Sequence, residues 1–427
     1  MKDFLKKIVT FFSTHLLWAV VVMIALGISI GQFAPIWFVR IFTTFNAVFS
    51  SILSFIVPLL ILALVTDAIA STGSGAGKML LWTIIFAYLS TILAALFTYG
   101  VSDLIFPNII TYHPGAEQAD GALPTSASDP YFKFSFPPIM DTMSALLLSF
   151  LLGLTMLKWD MPILKGGVAE LKYVVMATIE KLVLPLLPIY IFGEFLKMTA
   201  AGEMKMIAQV YLGVIGIMLA LFIFVLLAQY LIAGWVSHKN PFRLLATMFP
   251  ALMTAMASSS SAATLPITLR CANKMGASSN VVNFVIPLCA NIHLSGAAVR
   301  TLALAVATMV MYQTPYTTVQ MIGFILLFSI TVLAAPGVPG GVIMAAVGMI
   351  EVMLGFSSEM IAIMITLSIV LDGIGTGVNV CGDGALMMII DTIMNKPRGK
   401  RENGVILMTS AIFVISTSMV TMQSKPL

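Results

Sequence analysis

Long apolar segments, separated by short polar ones, make up most of the chain. A helix needs about 20 apolar residues to cross the hydrocarbon core of a bilayer, and a series of windows before residue 240 approaches or exceeds that length. The predicted spans cover residues 8–31, 37–68, 79–106, 142–157, 173–199 and 207–236. The polar stretch at 107–140, rich in Pro, Asp, Ser and Gly, is predicted to be a water-exposed loop.

Beyond residue 241 the apolar segments are interrupted by small and polar residues, in a pattern that occurs twice. A tip at 258–266 (SSSSAATLP) precedes an apolar segment with the polar middle 291–296 (NIHLSG). A second tip at 335–341 (APGVPGG) precedes one with the polar middle 372–383 (DGIGTGVNVCGD). Backbone that leaves a helix inside a bilayer must be shielded by protein or line a watery cavity. The repeated unit therefore predicts two hairpins and two broken helices around one cavity, as in transporters.

The pattern as a whole predicts an all-α polytopic membrane protein with eight transmembrane helices and two re-entrant helical hairpins arranged as inverted repeats. Residues 1–240 form its six-helix N-terminal part, and residues 241–396 form a core transport domain. Residues 397–427 hold a basic cytoplasmic linker and an apolar segment. The length of that segment alone does not distinguish an extra span from an interfacial helix.

Composition excludes several classes of function. Hydrophobic residues make up 59% of the chain and charged residues 9%, against about 25% charged in an ordinary soluble domain, which excludes a soluble enzyme. The net charge of +4 is too small to indicate a nucleic-acid partner. The three cysteines, Cys271, Cys289 and Cys381, are scattered and odd in number, so we expect free thiols. No His lies at a nucleophile–base spacing from the serine run, which disfavours a membrane-embedded hydrolase.

Basic residues set the predicted orientation. Lys and Arg concentrate in alternate short loops, around residues 2–7, 78, 158–172, 239–243 and 396–401. The long loop carries only Lys133. Since Lys and Arg accumulate on the cytoplasmic side, the chain is predicted to be a multi-pass protein of the cell inner or plasma membrane with a cytoplasmic N terminus.

In four places, and in the same order, the chain resembles the dicarboxylate/amino acid:cation symporter family. The four are the serine tip, the break at 291–297, the second tip at 337–341 and the run at 372–383. The resemblance implies a homotrimer whose first, second, fourth and fifth spans form a scaffold, while the rest moves across the lipid bilayer as an elevator. The third and sixth helices are expected to pack with the transport domain. The resemblance also implies a transporter and not an enzyme, with Na⁺ and/or H⁺ as coupling ion and no other cofactor.

The same resemblance assigns substrate-binding residues. Asp372 would hold the amino group of the substrate, and an Asp inside a membrane is costly enough to be a functional candidate by default. The alternative is a structural ion pair. Thr376 and Asn379 follow at helical spacings on the same face, and the Asn379 amide would reach the main-chain carboxylate. The hairpin tips supply the remaining contacts through their backbones, at Ser260, Ser261, Val338 and Gly340, unless the polyserine is only a flexible loop.

A cation site is implied next to the substrate. Asp383 corresponds to the family's sodium-ligand carboxylate, and a hard cation prefers such oxygen ligands. Asn379 and the backbone around the break at 291–297, at Ala290, His293 and Leu294, would complete the set of cation ligands. The alternative is that Asp383 lies near the cytoplasmic mouth without binding an ion.

Departures from the family pattern affect a second cation site. Where the family has Asn-Met-Asp-Gly-Thr, this chain has His-Leu-Ser-Gly-Ala at 293–297, so that Ser295 replaces a sodium-coordinating Asp. Phe86 and Ala87 stand where hydroxyl ligands of the same site occur. We therefore predict that this particular cation is not bound, and that His293, a residue type that titrates near neutral pH, offers a proton site instead. The alternative is a hydrogen-bonded packing histidine.

Two further departures bear on the substrate. The Arg that grips an acidic side chain in aspartate and glutamate transporters is Gly375 here, and an assisting Thr is Ala297, which predicts a small neutral amino acid. Arg300 complicates this prediction, since it lies seven residues after His293 on nearly the same helix face. Our hypothesis is that Arg300 reaches the space at Gly375 and either neutralises Asp372 or binds a substrate carboxylate.

Alternative functions remain open. With Arg300 as carboxylate partner, the substrates would be acidic amino acids or C4-dicarboxylates. A function of a different class is an anion or ion channel. A channel needs a continuous polar pore, whereas the polar residues here concentrate in one patch closed by two hairpins.

Overall fold

The computed structural model describes residues 16–71, 77–110, 129–132, 136–140, 142–202, 204–332, 335 and 340–395. Regular structure within these ranges is helical. The helices of the N-terminal part are α1 Leu16–Gly31, α2 Ile36–Ser71, α3 Gly77–Ile109, α4 Thr142–Lys158, α5 Pro162–Thr178, α6 Leu184–Ala200 and α7 Met204–Ser237. Those of the C-terminal part are α8 Pro241–Ser258, α9 Ser261–Lys274, α10 Ser279–Ile292, α11 Ser295–Met311, α12 Thr318–Thr331, α13 Gly341–Leu354, α14 Ser358–Val370 and α15 Asp372–Asn395.

Several helical stretches within the described ranges have the length and apolar content to cross a membrane. They are Lys78–Ile109, Ile207–Ser237, Ser279–Met311 and Asp372–Asn395, and the bent pair Pro162–Val183 and Pro185–Ala200 can serve as a fifth. In Ser279–Met311 and Asp372–Asn395, 94% and 89% of the most apolar window is buried inside the protein, against 28% in Lys78–Ile109. Helices α11 and α15 are therefore surrounded by protein, while α3 has a wide face left for lipid. The count of eight spans stays a prediction.

The fifth span differs from the predicted window. The helix begins at Pro162, well before residue 173, and a π-helical turn at Ile179–Val183 joins α5 to α6. Lys165 and Lys172 gave this region a polar pattern, although the helix is amphipathic and Lys172 pairs with Asp67 of α2 at 2.6 Å. Pro185 lacks an N–H and interrupts the helical hydrogen bonds, which accounts for the bend.

The helices pack in two groups. In the first group α1 packs on α6 and α2 packs on α4, α5 and α6. In the second group α15 is central and contacts α7, α8 and α11, while α3 packs along α11. The third and sixth spans, α3 and α7, thus lie against the C-terminal part. The two groups meet where α13 and α14 contact α1, α2 and α6.

Some predicted features lie outside the described residues. They are the N-terminal lysines, most of the 107–140 loop, Val338 with most of the second tip, and the segment 397–427. The three cysteines are buried and free.

Candidate functional site

The predicted seventh span, formed by α10 and α11, breaks at His293 and Leu294. Both residues leave the helical conformation, with φ of −100° and −126°. The Leu294 N–H donates to Thr91 Oγ1 of α3 at 3.2 Å. That N–H would otherwise bond to the carbonyl of Ala290, four residues earlier. The break therefore releases the Ala290 carbonyl from the helical ladder.

Asn379 caps the start of α11 from a different helix. Its side-chain oxygen accepts the N–H groups of Gly296 at 2.7 Å and Ala297 at 3.3 Å. The first N–H groups of a helix have no partner within it, so this amide oxygen satisfies donors that the break exposes. The interaction ties α15 to the broken helix.

A glycine contact brings α11 and α15 unusually close. A Cβ added at Gly296 would meet the carbonyl oxygen of Gly375 and approach Val378 Cβ to 2.7 Å. Only a residue without a side chain permits this approach. The close packing places the residues of α11 and α15 described below within hydrogen-bonding reach of one another.

The first hairpin tip lies against the start of α15. Helix α8 ends because Ser259 adopts the left-handed conformation, and the Ser260 side chain caps α9. A Cβ added at Gly373 would lie 3.2 Å from Ser259 Oγ, which places the tip beside α15. The Ser260 N–H donates to Ser258 Oγ at 3.3 Å. This N–H is thus engaged locally in the ligand-free protein, and its contact with a substrate carboxylate stays a prediction.

The second hairpin reaches the same place through Gly340. This residue has φ +76°, a left-handed conformation that favours glycine, and directly precedes α13. Its N–H donates to Asp372 Oδ2 at 2.8 Å. Helix α14 ends at Val370 and α15 begins at Asp372, so the helical run is interrupted at Leu371. Asp372 is thus the first residue of α15, a position where the helix dipole favours a carboxylate.

Arg300 and Asp372 form a buried ion pair. Arg300 Nη1 donates to Asp372 Oδ1, and the arginine is fully buried while Asp372 is 6% exposed. Nη1 also lies 3.3 Å from the position of a Cβ at Gly375. Arg300 therefore reaches the space where the related transporters were expected to carry their own arginine.

One edge of the Arg300 guanidinium has no partner among the described residues. Neither Nε nor Nη2 makes a hydrogen bond within the described residues. These two atoms lie on the same edge of the planar group and match the two oxygens of a carboxylate. Leaving such donors buried and unsatisfied costs about 1–3 kcal/mol each, and more for a charged group, so the edge is suited to a ligand.

A second buried pair joins the same two helical segments about 16 Å further along α15, at about 1.5 Å per residue. His293 Nδ1 lies 3.0 Å from Asp383 Oδ1, and both side chains are buried. The other ring nitrogen, Nε2, lies 3.0 Å from Ser90 Oγ of α3. Gln229 of α7 donates to Ser90 Oγ at 3.0 Å and to Ser295 Oγ at 3.1 Å. Five polar residues from α3, α7, the break, α11 and α15 thus form one cluster.

The cluster holds oxygen atoms suited to a cation. Asp383 Oδ2 and Gln229 Oε1 are buried and find no hydrogen-bond partner in the described part of the chain. The Ala290 carbonyl is released by the break, while the Leu294 carbonyl accepts the Ala298 N–H at 2.9 Å and retains a second lone pair. Carboxylate, amide and carbonyl oxygens are the ligands that hard cations prefer. The donor set is of the right chemical type for Na⁺.

The structure brings together most of the predicted positions. Asp372, Thr376, Asn379 and Asp383 lie on α15 and are all buried. Ser260 and Ser261 lie at the first tip and Gly340 at the second, while Val338 lies outside the described residues. On α3, Ala87 is buried and Phe86 is partly buried, and the Ala87 carbonyl accepts from Thr91 Oγ1. The roles of these residues in binding stay predictions.

Sequence reasoning missed the residues that surround His293. Ser90, Thr91 and Gln229 lie in predicted spans and contact the break across long sequence separations. Polar residues in an apolar helix were the available signal, and Gln229 was the clearest of them, since an amide side chain in a span needs a partner. That these residues meet around His293 could be seen only in the three-dimensional structure.

Comparison with known proteins bears on the site as a whole. Residues 16–393 match the model of the sodium:dicarboxylate symporter family. The chain is 25% identical over 402 residues to the serine/threonine transporter SstT of Acinetobacter baylyi, covering 89% of this chain and 98% of that protein. It is 32% identical over 167 residues to excitatory amino acid transporter 4 of Mus musculus, covering 38% of this chain and 29% of that protein.

The family match covers nearly the whole of the chain and confirms the resemblance seen in the sequence. It also confirms an all-helical, multi-pass membrane protein that is a transporter and not an enzyme. The break, the hairpins and the two buried pairs lie within the matched residues. The chain belongs to the sodium:dicarboxylate symporter family.

Proposed function

We propose that this protein is a cation-coupled secondary active symporter that imports a small neutral amino acid by an elevator-type mechanism. The family and the related transporters support coupled transport of an amino acid. The neutral substrate, the coupling ion and the mechanism are the finer parts of the proposal.

The charge balance of the Arg300–Asp372 pair carries the choice of substrate. Without substrate the pair sums to zero, and it is buried among apolar helices. A neutral amino acid is a zwitterion and leaves that sum unchanged. An acidic amino acid adds one negative charge and a dicarboxylate adds two, and uncompensated charge in a membrane interior is costly. The names of the SstT relatives, which describe serine and threonine transporters, point in the same direction.

The coupling ion is assigned to the cluster around Asp383. Its unpartnered carboxylate and amide oxygens suit Na⁺, while the His293–Asp383 contact suits a proton. Both ions are positive, so either would offset the Asp383 charge during transport. Na⁺ and/or H⁺ are therefore the candidate coupling ions.

An elevator motion fits the division of the helices into two groups. The group of α1, α2 and α4–α6 has few contacts with the core around α15 other than those through α13 and α14. Tyr190 of α6 contacts the carbonyl of Ser358 at 3.4 Å and Lys197 pairs with Glu359 at 3.7 Å, so this boundary is held by few polar bonds. We propose that the first group is the scaffold of a homotrimer.

Uptake into proteoliposomes tests the proposal. Purified protein is reconstituted, and uptake of labelled serine, threonine and alanine is measured with an inward Na⁺ gradient, an inward proton gradient, both or neither. Saturable accumulation that requires one of the gradients is expected. Ohmic current without solute accumulation would instead show a channel.

The unpartnered edge of Arg300 favours one second candidate. It could hold the extra carboxylate of an acidic amino acid or a C4-dicarboxylate, provided that additional coupled cations balance the charge. Labelled aspartate and succinate in the same assay decide between the candidates. Stronger accumulation of either than of serine would replace the neutral-substrate proposal.

A further inference from the structure

We propose that Arg300 and Asp372 act as a single recognition element for the zwitterionic part of an α-amino acid, with Asp372 binding the ammonium and Arg300 binding the carboxylate. The inference rests on the proposed function and assigns the substrate carboxylate to this chain's own arginine. The substrate lies antiparallel to the internal ion pair, so that each charge faces its opposite.

The atoms of Arg300 support a carboxylate contact. Nη1 is committed to Asp372, whereas Nε and Nη2 are buried and have no hydrogen-bond partner among the residues that the structure describes. They form one edge of the guanidinium, and that edge makes two parallel hydrogen bonds to a carboxylate. Arg300 therefore binds a substrate carboxylate without releasing Asp372.

Asp372 has the complementary capacity. Its Oδ1 accepts from Arg300 and its Oδ2 from the Gly340 N–H. A carboxylate offers about four lone-pair positions, so about two remain for an ammonium group. Asp372 keeps a residual exposed fraction of 6%, whereas Arg300 is fully buried.

Two of the other predicted carboxylate contacts, at Ser260 and Asn379, are partly engaged within the protein. The Ser260 N–H is bonded to Ser258 Oγ, and the side-chain oxygen of Asn379 caps α11, which leaves only the amide N–H groups of Asn379 for a ligand. The unpartnered edge of Arg300 is the stronger donor, because it is charged and bidentate. The carboxylate is accordingly assigned to Arg300.

Three matched probes separate the two charges. Serine carries both groups, glycerate replaces the ammonium with a hydroxyl, and serinamide replaces the carboxylate with an amide. Binding of each is measured as thermal stabilisation of detergent-solubilised full-length protein at fixed Na⁺ and pH. The wild-type protein is expected to bind serine at least about tenfold more tightly than either analogue, since each analogue loses charge-assisted hydrogen bonds.

Arg300→Lys and Arg300→Gln test the assignment. The lysine keeps a positive charge beside Asp372 but lacks the bidentate edge, so the preference for serine over serinamide should fall about tenfold. The glutamine should lower it further, because Asp372 then carries an unbalanced charge that favours the cationic serinamide. The ratio is taken within one variant, so the fraction of folded protein cancels. Arg270→Lys, an exposed position on α9, is the matched control and should leave the ratio unchanged.

The outcomes separate the inference from the function. A serine-to-serinamide ratio that stays at the wild-type value in both Arg300 variants overturns the inference and leaves amino acid transport in place. A wild-type protein that prefers glycerate to serine overturns the proposed substrate, and one that binds none of serine, threonine or alanine overturns both. Should neither single variant fold, the double variant Arg300→Gln/Asp372→Asn, which has no charge in the pair, is expected to bind the three probes about equally.

Discussion

Two buried ion pairs connect α11 and the break before it to α15, and they differ in one chemical respect. Asp372 faces Arg300, whose charge is permanent, and Asp383 faces His293, whose charge depends on whether a proton is bound. The order along the helices is reversed, since His293 precedes Arg300 while Asp383 follows Asp372. A single antiparallel contact between two broken helices thus carries both pairs.

The comparison shows how one fold separates two tasks. The Arg300–Asp372 pair, with its permanently charged arginine, keeps a constant net charge and is suited to binding a zwitterion. The pair with the titratable partner can change its balance and is suited to an ion. The following experiments disrupt one pair or both pairs, and the largest effect is expected first.

Asp372→Asn should be the most damaging substitution. It leaves the fully buried Arg300 without a counter-charge, and breaking a buried pair in this way costs about 3–5 kcal/mol. Both thermal unfolding and amino acid uptake should show the loss. Asp160→Asn, at an aspartate whose side chain is 89% exposed, is the control and should have little effect. Adding Arg300→Leu to Asp372→Asn should restore stability but not uptake, and a double variant no more stable than Asp372→Asn alone would contradict this account.

Asp383→Asn should affect the ion more than the substrate. Asparagine preserves the shape but removes the charge, so half-saturation by the coupling cation should require at least about tenfold more ion, as expected when a charged contact worth roughly 1.5–3 kcal/mol is lost. Uptake is titrated with Na⁺ at two pH values, alongside binding of serine at saturating cation. An equal rise of the half-saturating cation concentration in Asp372→Asn would contradict the proposed division of tasks between the two pairs.

Gly296→Ala should disturb both pairs together. The new methyl group would collide with the Gly375 carbonyl and with Val378, and overpacking of this kind costs about 1–3 kcal/mol. Gly100→Ala, on α3 with open space around the added methyl, is the matched control and should be neutral or slightly stabilising. Thermal unfolding of the two variants in the same detergent measures the difference. Equal stability would show that the close approach is not required.

Ser90→Ala should give the smallest effect. It removes a hydroxyl that contacts both His293 and Gln229, and the loss of one neutral hydrogen bond costs about 0.5–1.5 kcal/mol. A shift in the pH dependence of uptake, with little change in serine binding, is expected. A change in serine affinity as large as that of Asp372→Asn would place Ser90 in the wrong region.

The sequence was sufficient for the positions of the interruptions and for the candidate residues on them. Apolar windows, proline, glycine and the polar runs are local signals, and the breaks at His293 and just before Asp372 fall where those signals are concentrated. The predicted start of the fifth span, at residue 173, lies about three helical turns after the true start at Pro162, because the basic residues of an amphipathic helix look like a loop.

Partner choice was beyond the sequence. Arg300 could be expected near Gly375, but whether it would pair with Asp372 was left open. Ser90 and His293 are 203 residues apart, and no local period relates them. Such contacts depend on how α3, α7, α11 and α15 pack.

The hydrogen bond from the Gly340 N–H to Asp372 Oδ2 ties the start of α13 to the start of α15. Separating the two helices there would leave this carboxylate with one donor fewer. A ligand that binds Asp372 more tightly in one arrangement of α13 and α15 than in the other therefore shifts the balance between the arrangements by the same factor.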